Sequence, residues 1–285
     1  MCERRRSSRL WHGWKALRCK LRRRLELCLQ KQEHWMRIFL AGATGVIGRR
    51  LALLLREAGH QVTGTTRNAA KAPLLQALGV TPRVVDVFDA EALARAVASA
   101  GPDMVIHQLT DLPSAPGTPG YAAGQQANRR LRIEGTHNLM QAAAMARVPR
   151  VVAQSIAFAY APGEGLRSEN DPLDVRAEPP RKWTVEGIVA LEREVLRTAG
   201  ITGIVLRYGY LYGTGTWYAA PPKPPSVHVD AAAYAALLAA SGGSGIYNIV
   251  ENDGAVSGAK AVSELGFDSA FRLSSRLAHK LVPPA

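Results

Sequence analysis

Apolar residues follow two different patterns along the chain, and the two patterns alternate. Short runs of strand-forming residues, the first at 38–40, are followed by longer segments with apolar residues at three- and four-residue spacing, such as Leu51, Leu54 and Leu55. This alternation is typical of an α/β protein with a parallel sheet. Further strands are predicted at 61–65, 82–88, 103–108, 150–154, 204–207 and 245–250. Further helices are predicted at 90–100, 125–146, 183–199 and 257–265.

Three glycines lie between the first predicted strand and the first predicted helix, in the segment R-I-F-L-A-G-A-T-G-V-I-G at 37–48. The first allows a tight turn off the strand, the second lets the backbone approach a pyrophosphate, and the third lets the helix lie close to the sheet. Phosphates bind at such a helix N-terminus because its N–H groups are free and its dipole is positive there. The alternative is a glycine-rich turn without a ligand. The predicted dinucleotide-binding residues on this turn are Gly42, Thr44, Gly45, Val46, Ile47 and Gly48.

The end of the second predicted strand carries Arg67, at a place where NAD enzymes carry an acid that binds the ribose 2′-hydroxyl. No Asp or Glu occurs between Glu57 and Asp86. A planar arginine cation suits a 2′-phosphate instead. The predicted cofactor is therefore NADP, and NAD is the alternative if Arg67 is only a solvated surface residue.

The segment A-G-A-T-G-V-I-G at 41–48 resembles the fingerprint of the NAD-dependent epimerase/dehydratase family, the extended or atypical short-chain dehydrogenase/reductases. The segments I-E-G-T-H-N-L-M-Q-A-A at 133–143 and R-Y-G-Y-L-Y-G at 207–213 extend the resemblance over about 36–273. The resemblance implies a Rossmann-type doubly wound parallel sheet with a small, reduced C-terminal cap. The substrate-side elements would then begin near residue 208.

The resemblance also implies further cofactor contacts. An acid after the third strand lies beside the adenine in this family, which points to Asp86. The alternative for Asp86 is to cap the next helix, a role that suits Asp89 better. Val87 and Leu109 complete the expected cofactor-binding residues.

Two residues near the end of the fifth predicted strand are the predicted catalytic residues, Ser155 and Tyr160. The first stands where the family has a Ser or Thr that hydrogen-bonds the reacting oxygen of the substrate. A serine at a strand end can instead simply stabilise a turn.

The family's Tyr-x-x-x-Lys pair, in which the ammonium lowers the pKa of the phenol, is absent. The corresponding positions hold Trp183 and Gly187. Three residues before Gly135, where the family often has Asn, this chain has Arg132. If Tyr160 transfers a proton, a cation must lower its pKa, and Lys182 or Arg132 is the expected one.

Residues 1–35 differ in composition from the rest of the chain. They hold 11 Lys/Arg against 3 Asp/Glu, whereas residues 36–285 hold 25 against 20. Apolar residues at helical spacing predict a basic amphipathic leader that is not part of the fold, which occupies 36–285. An upstream extension is the favoured interpretation; contact with a membrane surface, a transit peptide and nucleic-acid binding are the alternatives.

The three cysteines all lie within this leader, and no Cys/His set has metal-ligand spacing. We therefore expect a reducing, cytoplasmic location, no metal site and no nucleic-acid partner. The expected partner is a small-molecule substrate, and a homodimer stays open.

Two functions from different classes are consistent with these features. The first is NAD(P)-dependent epimerase/dehydratase or reductase chemistry on a small carbonyl or sugar-nucleotide substrate. The second is a non-catalytic NADP-binding sensor or scaffold of the NmrA-like kind, which the missing Tyr/Lys pair keeps open. A third interpretation, a membrane-docked protein, rests on the leader alone.

Overall fold

The computed structural model describes residues 35–111, 115 and 117–281. The leader interpretation falls on residues 1–34 and so lies outside the described residues. The strands are β1 Arg37–Ala41, β2 Gln61–Thr66, β3 Thr81–Val84, β4 Met104–His107, β5 Arg150–Ile156, β6 Thr202–Tyr208, β7 Tyr210–Tyr212, β8 Ser226–His228 and β9 Gly245–Ile249. The α-helices are α1 Val46–Glu57, α2 Ala72–Ala77, α3 Ala90–Ala100, α4 Tyr121–Arg130, α5 Thr136–Met145, α6 Arg181–Arg197, α7 Val229–Ser241 and α8 Ser275–His279. Two π-helical turns span Leu131–Gly135 and Ala261–Leu265, and two 3₁₀ turns span Ala69–Lys71 and Ala157–Ala159.

Seven of the strands form one parallel sheet in the order β3-β2-β1-β4-β5-β6-β9. The strand order reverses between β1 and β4, which places a crevice at the carboxyl ends of these two strands. One apolar core packs α1 and α7 against one face of the sheet, and a second core packs α3, α5 and α6 against the other. The predicted Rossmann-type doubly wound parallel sheet is confirmed.

The small cap is a two-stranded parallel ribbon of β7 and β8. It follows β6 directly, because Gly209 alone separates β6 from β7. A Cβ at Gly209 would lie 2.8 Å from the carbonyl oxygen of Pro225, so only glycine fits between the sheet and the ribbon. The ribbon therefore stands at the carboxyl edge of the sheet, beside the crevice.

Two elements differ from the sequence-based boundaries. The third strand was predicted over 82–88 but ends at Val84, because the Asp86 carboxylate accepts the N–H of Phe88 and turns the chain away from the sheet. The helix predicted over 125–146 begins earlier, at Tyr121, and contains the π-helical turn Leu131–Gly135. A π-turn inserts an extra residue into a helix and changes which side chains face the sheet. None of the helices in the described part of the chain is both long and apolar enough to cross a membrane.

Candidate cofactor and substrate site

Two adjoining cavities open at the carboxyl edge of the sheet, in the crevice between β1 and β4. The first, which we call the glycine-turn cavity, has a volume of about 350 Å³ and runs from the turn after β1 to the end of β2. The second, the aromatic cavity, measures about 290 Å³ and extends from the same turn towards the cap. Gly45, Gln108 and Thr110 line both. The two cavities therefore adjoin at these three residues.

Each of the three positions in the turn holds glycine for a different structural reason. Gly42 has φ +86°, and a Cβ there would come within 2.7 Å of the Gln108 backbone. A Cβ at Gly48 would lie 2.1 Å from the carbonyl oxygen of Gly42, so α1 could not approach the turn. Gly45 has an ordinary backbone conformation, and its Cβ would meet only the same oxygen, at 3.4 Å. Packing of the chain therefore does not require glycine at position 45. The lack of a side chain there instead keeps the cavity open.

Helix α1 begins at Val46, directly after Gly45, with its N-terminus at this junction. No described side chain caps it, and its first turn holds no acidic residue. Uncapped N–H groups and the positive end of the helix dipole attract an anion such as a pyrophosphate. The turn fits the phosphates of a dinucleotide.

The far end of the glycine-turn cavity is basic. Arg67, Asn68 and Lys71 line it, although Arg67 Nη2 lies 2.6 Å from Asp111 Oδ1. The sequence pattern points to Arg67 at the end of β2 and not to Asn68 or Lys71. Their position within four residues of Arg67 was the available signal.

The other predicted cofactor residues are distributed over both cavities. Gly42, Thr44, Gly45, Arg67, Asp86, Val87 and Leu109 line the glycine-turn cavity, and Gly45, Val46 and Ile47 line the aromatic cavity. Gly48 lies beneath the turn instead of on a cavity wall. Asp89 caps α3, as expected, with its carboxylate accepting the N–H of Ala92 at 2.9 Å. Asp86 therefore remains free of that capping role and faces the cavity.

A buried amide without a partner stands at the junction of the two cavities. Gln108 Nε2 donates to the Tyr208 hydroxyl at 3.1 Å, whereas Gln108 Oε1 has no hydrogen-bond partner among the described residues. An orphaned acceptor of this kind suits a donor group of a bound ligand. Together with the open turn at Gly45, it shows that the residues present fit a nicotinamide dinucleotide.

The aromatic cavity has ring walls with a few polar groups between them. Phe158 stacks on Tyr210 with ring centroids 4.0 Å apart. The other aromatic lining residues are Tyr208, Trp217 and Tyr218. The polar lining residues are Gln108, Thr110, Arg132, Gln154, Ser155 and Thr216. Burial raises the pKa of Tyr208, so that its phenol is neutral at physiological pH.

Ser155 lies on the aromatic cavity and begins a buried polar network. Its hydroxyl donates to Glu192 Oε1 at 2.7 Å. Arg207 binds the same carboxylate twice, through Nε at 2.8 Å and Nη2 at 2.6 Å. Burial acts to lower the pKa of Arg207, but the hydrogen bonds and charge of Glu192 raise that pKa overall. The Glu192 carboxylate is therefore fully engaged.

Tyr160 lies at the other end of this network and lines neither of the two cavities. Its hydroxyl donates to Asn248 Oδ1 at 2.6 Å and accepts from Arg207 Nη1 at 2.8 Å. Burial raises the pKa of Tyr160, and Arg207 only partly offsets this effect. The structure thus connects Tyr160 to Ser155 through Arg207 and Glu192, without bringing both to one cavity. A catalytic role for Tyr160 stays a prediction.

The cation beside Tyr160 is Arg207, so the expectation of Lys182 or Arg132 there was wrong. The parallel register of β5 and β6 pairs Ser155 with Arg207, which explains how the arginine enters the network. An arginine at the end of the apolar strand I-V-L-R was a signal, but its partner could not be read from the sequence. Trp183 and Gly187 both lie on α6 and line neither cavity of the described site. Within the described residues, no cluster of three or more His, Cys, Asp or Glu could hold a metal ion.

These features define an α/β protein that binds a nicotinamide dinucleotide at the carboxyl edge of its sheet. The family model for NAD(P)H-binding proteins matches residues 42–216. A 3-diazoavenalumate denitrifying reductase from a Streptomyces species is 41% identical over 237 residues, which cover 80% of this chain and 72% of that protein. The chain belongs to the NAD(P)H-binding family, within the reductase and epimerase group that the sequence resembles.

More distant proteins agree with this assignment. A 4-hydroxy-2-methyl-3-oxo-4-farnesyl-3,4-dihydroquinoline-1-oxide ketoreductase from Stigmatella aurantiaca is 31% identical over 183 residues, 62% of this chain and 51% of that protein. The solved structure of the UDP-glucose 4-epimerase of Thermus thermophilus, in complex with NAD, has a TM-score of 0.68 at 18% identity. The match covers 98% of that protein and 86% of this chain. At that identity, the likeness concerns the fold alone.

Proposed function

We propose that the protein is an NADPH-dependent reductase of a small aromatic molecule bound in the aromatic cavity. The observation that carries this proposal is that the two cavities adjoin at Gly45, Gln108 and Thr110. A cofactor held on the glycine turn would adjoin a compartment with ring walls. About 290 Å³ is at the small end of the range for ligand pockets, which favours a one-ring compound over a sugar nucleotide.

NADPH is favoured over NADH by the basic end of the glycine-turn cavity. Arg67 and Lys71 line this end, where a 2′-phosphate would need cations. When bound, NADPH supplies a hydride. Gln108, through its orphaned Oε1, would orient the group that lies at the junction.

The absence of the family's Tyr/Lys pair supports a substrate whose reduction needs no added proton. Reduction of a carbonyl leaves an alkoxide that must receive a proton, usually from a positioned acid. Trp183 and Gly187 provide no such acid, and the Ser155 hydroxyl already donates to Glu192. An aryl diazonium group needs no proton, because it takes up a hydride and releases dinitrogen: ArN₂⁺ + H⁻ → ArH + N₂.

The name of the Streptomyces relative, a denitrifying reductase, supports the same class of substrate. We therefore assign this chain an aryl diazo compound as substrate. Ser155 would be the catalytic residue that touches the substrate. Tyr160 would be a positioning residue, because it holds Arg207, which in turn holds the Glu192 carboxylate that orients Ser155.

The test compares two compounds of similar shape, 4-carboxybenzenediazonium and 4-formylbenzoate, each with NADPH and the full chain. We expect NADPH oxidation, release of dinitrogen and formation of benzoate from the first compound only. NADPH deuterated at the transferable position should deliver deuterium to the ring carbon that lost nitrogen. Robust reduction of 4-formylbenzoate alone would overturn the assigned substrate class.

Two variants control for spontaneous reaction of the diazonium compound. Gly45→Asp places a side chain and a negative charge in the glycine-turn cavity and should abolish turnover. Gly242→Asp adds the same group at an extended position with no neighbour within 4 Å and should leave turnover unchanged. Equal rates with Gly45→Asp and the wild type would contradict enzymatic reduction. Tight NADPH binding without turnover of either compound would favour the non-catalytic sensor.

A further inference from the structure

Arg132 is a buried arginine on the wall of the aromatic cavity and lacks a partner for its charge. Only 3% of the residue is exposed. Its Nε has no hydrogen-bond partner, and the guanidinium forms no ion pair within the described part of the chain. Deeply buried arginines are normally paired. We propose that Arg132 binds a carboxylate of the substrate in the aromatic cavity, an inference that rests on the proposed function.

The position of Arg132 is fixed by two local features. It lies on the π-helical turn Leu131–Gly135, and π-turns occur frequently at functional sites. The turn packs against Gly187 of α6, where a Cβ would lie 3.2 Å from Arg132 Cδ and 3.2 Å from Arg129 Cα. The absence of a side chain at Gly187 leaves the space that the Arg132 stem occupies.

The charge of Arg132 is not balanced by the surrounding protein. Glu192 attracts it, but the Glu192 carboxylate already binds Arg207 twice and Ser155 once. Burial lowers the pKa of Arg132 to about 10, which still leaves it protonated at neutral pH. His107 is also buried, and burial together with the Arg132 charge lowers the pKa of His107 to about 4, so this neighbour is neutral.

The unpaired charge indicates an anionic ligand. Among the described residues that line the aromatic cavity, Arg132 carries the only full charge. Burying an uncompensated charge destabilises a protein, so an arginine kept in this state points to a ligand that completes it. Gly45 and Arg67 would hold the cofactor phosphates in the adjoining cavity. The ligand of Arg132 therefore belongs to the substrate.

The chemistry of the cavity narrows the class of anion. A guanidinium binds a carboxylate through two parallel hydrogen bonds, which fixes the plane of the ligand. The cavity walls are aromatic and include the stacked pair Phe158 and Tyr210. A flat aryl carboxylate satisfies both the cation and the walls.

The experiment uses the full chain saturated with NADP⁺ and two probes of the same shape, trans-cinnamate and trans-cinnamamide. Isothermal titration should give a dissociation constant for cinnamate at least about 10-fold lower than that for the uncharged amide. Arg132→Met should weaken cinnamate binding by about 10- to 150-fold, the range for a lost charge-assisted contact, and change cinnamamide binding by less than about threefold. Arg132→Lys keeps the positive charge but cannot form two parallel hydrogen bonds to a carboxylate. Its dissociation constant for cinnamate should lie between those of the wild type and Arg132→Met.

A stability measurement separates ligand binding from a purely structural role. Without ligand, Arg132→Met should melt at the same temperature as the wild type or higher, because it removes a buried unpaired charge. Arg129→Met is the matched control, since Arg129 pairs with Glu186 at 2.7 Å outside the cavity. It should leave both dissociation constants unchanged.

Three outcomes would overturn the proposal. The first is equal affinity of the wild type for the two probes. The second is a loss of NADP⁺ affinity in Arg132→Met as large as its loss of cinnamate affinity. The third is a lower melting temperature of Arg132→Met with unchanged cinnamate binding. If Arg132→Met does not fold, the affinities of the wild type for the two probes and the cinnamate affinity of Arg132→Lys test the proposal. Failure of the wild type to bind NADP⁺ would instead refute the proposed function, whereas NADP⁺ binding without a preference for cinnamate refutes only this inference.

Discussion

Arg67, on the wall of the glycine-turn cavity, forms an ion pair with Asp111, with Nη2 2.6 Å from Oδ1. The backbone N–H of Asp111 donates to Asn128 Oδ1 at 3.0 Å, which ties the start of the following loop to α4. A 2′-phosphate that binds Arg67 must therefore compete with a carboxylate of the protein. We therefore expect both residues to influence the choice between NADPH and NADH.

Arg67→Ala should remove the preference for NADPH over NADH. Losing a charge-assisted contact to the 2′-phosphate weakens NADPH binding by about 10- to 150-fold, while NADH binding changes little. Titration of both cofactors against wild type and variant measures this. Arg83→Ala, which changes an exposed arginine on β3 that donates to Ser99, is the control. Equal affinities of the wild type for the two cofactors would contradict the prediction.

Asp111→Asn should have the opposite effect. It removes the carboxylate that competes for Arg67, and exposed ion pairs of this kind contribute up to about 1 kcal/mol. NADPH affinity should therefore rise by about two- to fivefold, without a change for NADH. Weaker NADPH binding in the variant would show that Asp111 itself orders the cofactor site.

Ser155→Ala and Tyr160→Phe should separate catalysis from positioning. We expect kcat/KM for the diazonium compound to fall by about 10-fold or more in Ser155→Ala, because the hydroxyl oxygen that would contact the cationic diazonium group is lost. Tyr160→Phe removes two buried hydrogen bonds and should lower stability by about 1–3 kcal/mol with a smaller loss of turnover. Steady-state kinetics and thermal denaturation of both variants test this. Abolished turnover in a stable Tyr160→Phe would place Tyr160 in the chemistry.

The features that the sequence predicted well are encoded by neighbouring residues. The strand 38–40, the glycine turn and the start of α1 lie in one short segment, and each has its own local signal. The cap of α3 at Asp89 is equally local, because the carboxylate and the N–H it accepts are three residues apart. Such features are predictable without knowledge of the tertiary structure.

The features that the sequence missed depend on contacts between distant residues. The register of β5 and β6 places Ser155 beside Arg207. The Tyr160 hydroxyl donates a hydrogen bond to Asn248, which lies 88 positions further along the chain. The side chain of Arg132 reaches the cavity because a π-turn shifts the helix and Gly187 leaves room. Neither a register nor a π-turn leaves a periodic pattern in the sequence.

The buried ion pair between Arg50 and Asp230 should be a main determinant of stability. Arg50 Nε lies 2.7 Å from Asp230 Oδ1, joining α1 to α7, and Asp230 also accepts the N–H of Leu273. Asp230→Ala leaves a buried cation unpaired and should lower the free energy of unfolding by about 3–5 kcal/mol.

Urea denaturation measures this loss, with two comparison variants. The double variant Arg50→Met/Asp230→Leu removes both charges and should recover much of the stability. Arg276→Ala breaks an exposed pair with Glu57 and should lose at most about 1 kcal/mol. A loss in Asp230→Ala no larger than in Arg276→Ala would disprove the importance of the buried pair.

His107 should make the fold sensitive to acid. Its Nδ1 accepts the N–H of Leu109 at 3.2 Å, so Nε2 carries the proton and faces Thr136 Oγ1 at 3.0 Å. Burial and the nearby charge of Arg132 lower the pKa of His107 from 6.5 to about 4. A second proton would have to displace the Leu109 hydrogen bond.

Between pH 6.5 and about 4, the unfolded chain therefore binds a proton at position 107 that the folded chain does not. The free energy of unfolding should fall as the pH drops through this range, by a total of about 3 kcal/mol from His107. Urea denaturation at a series of pH values should show a shallower slope for His107→Gln than for the wild type. Burial also lowers the pKa values of His60 and His228, so part of the slope should remain in His107→Gln. Identical slopes for wild type and His107→Gln would mean that this imidazole binds its second proton equally in both states.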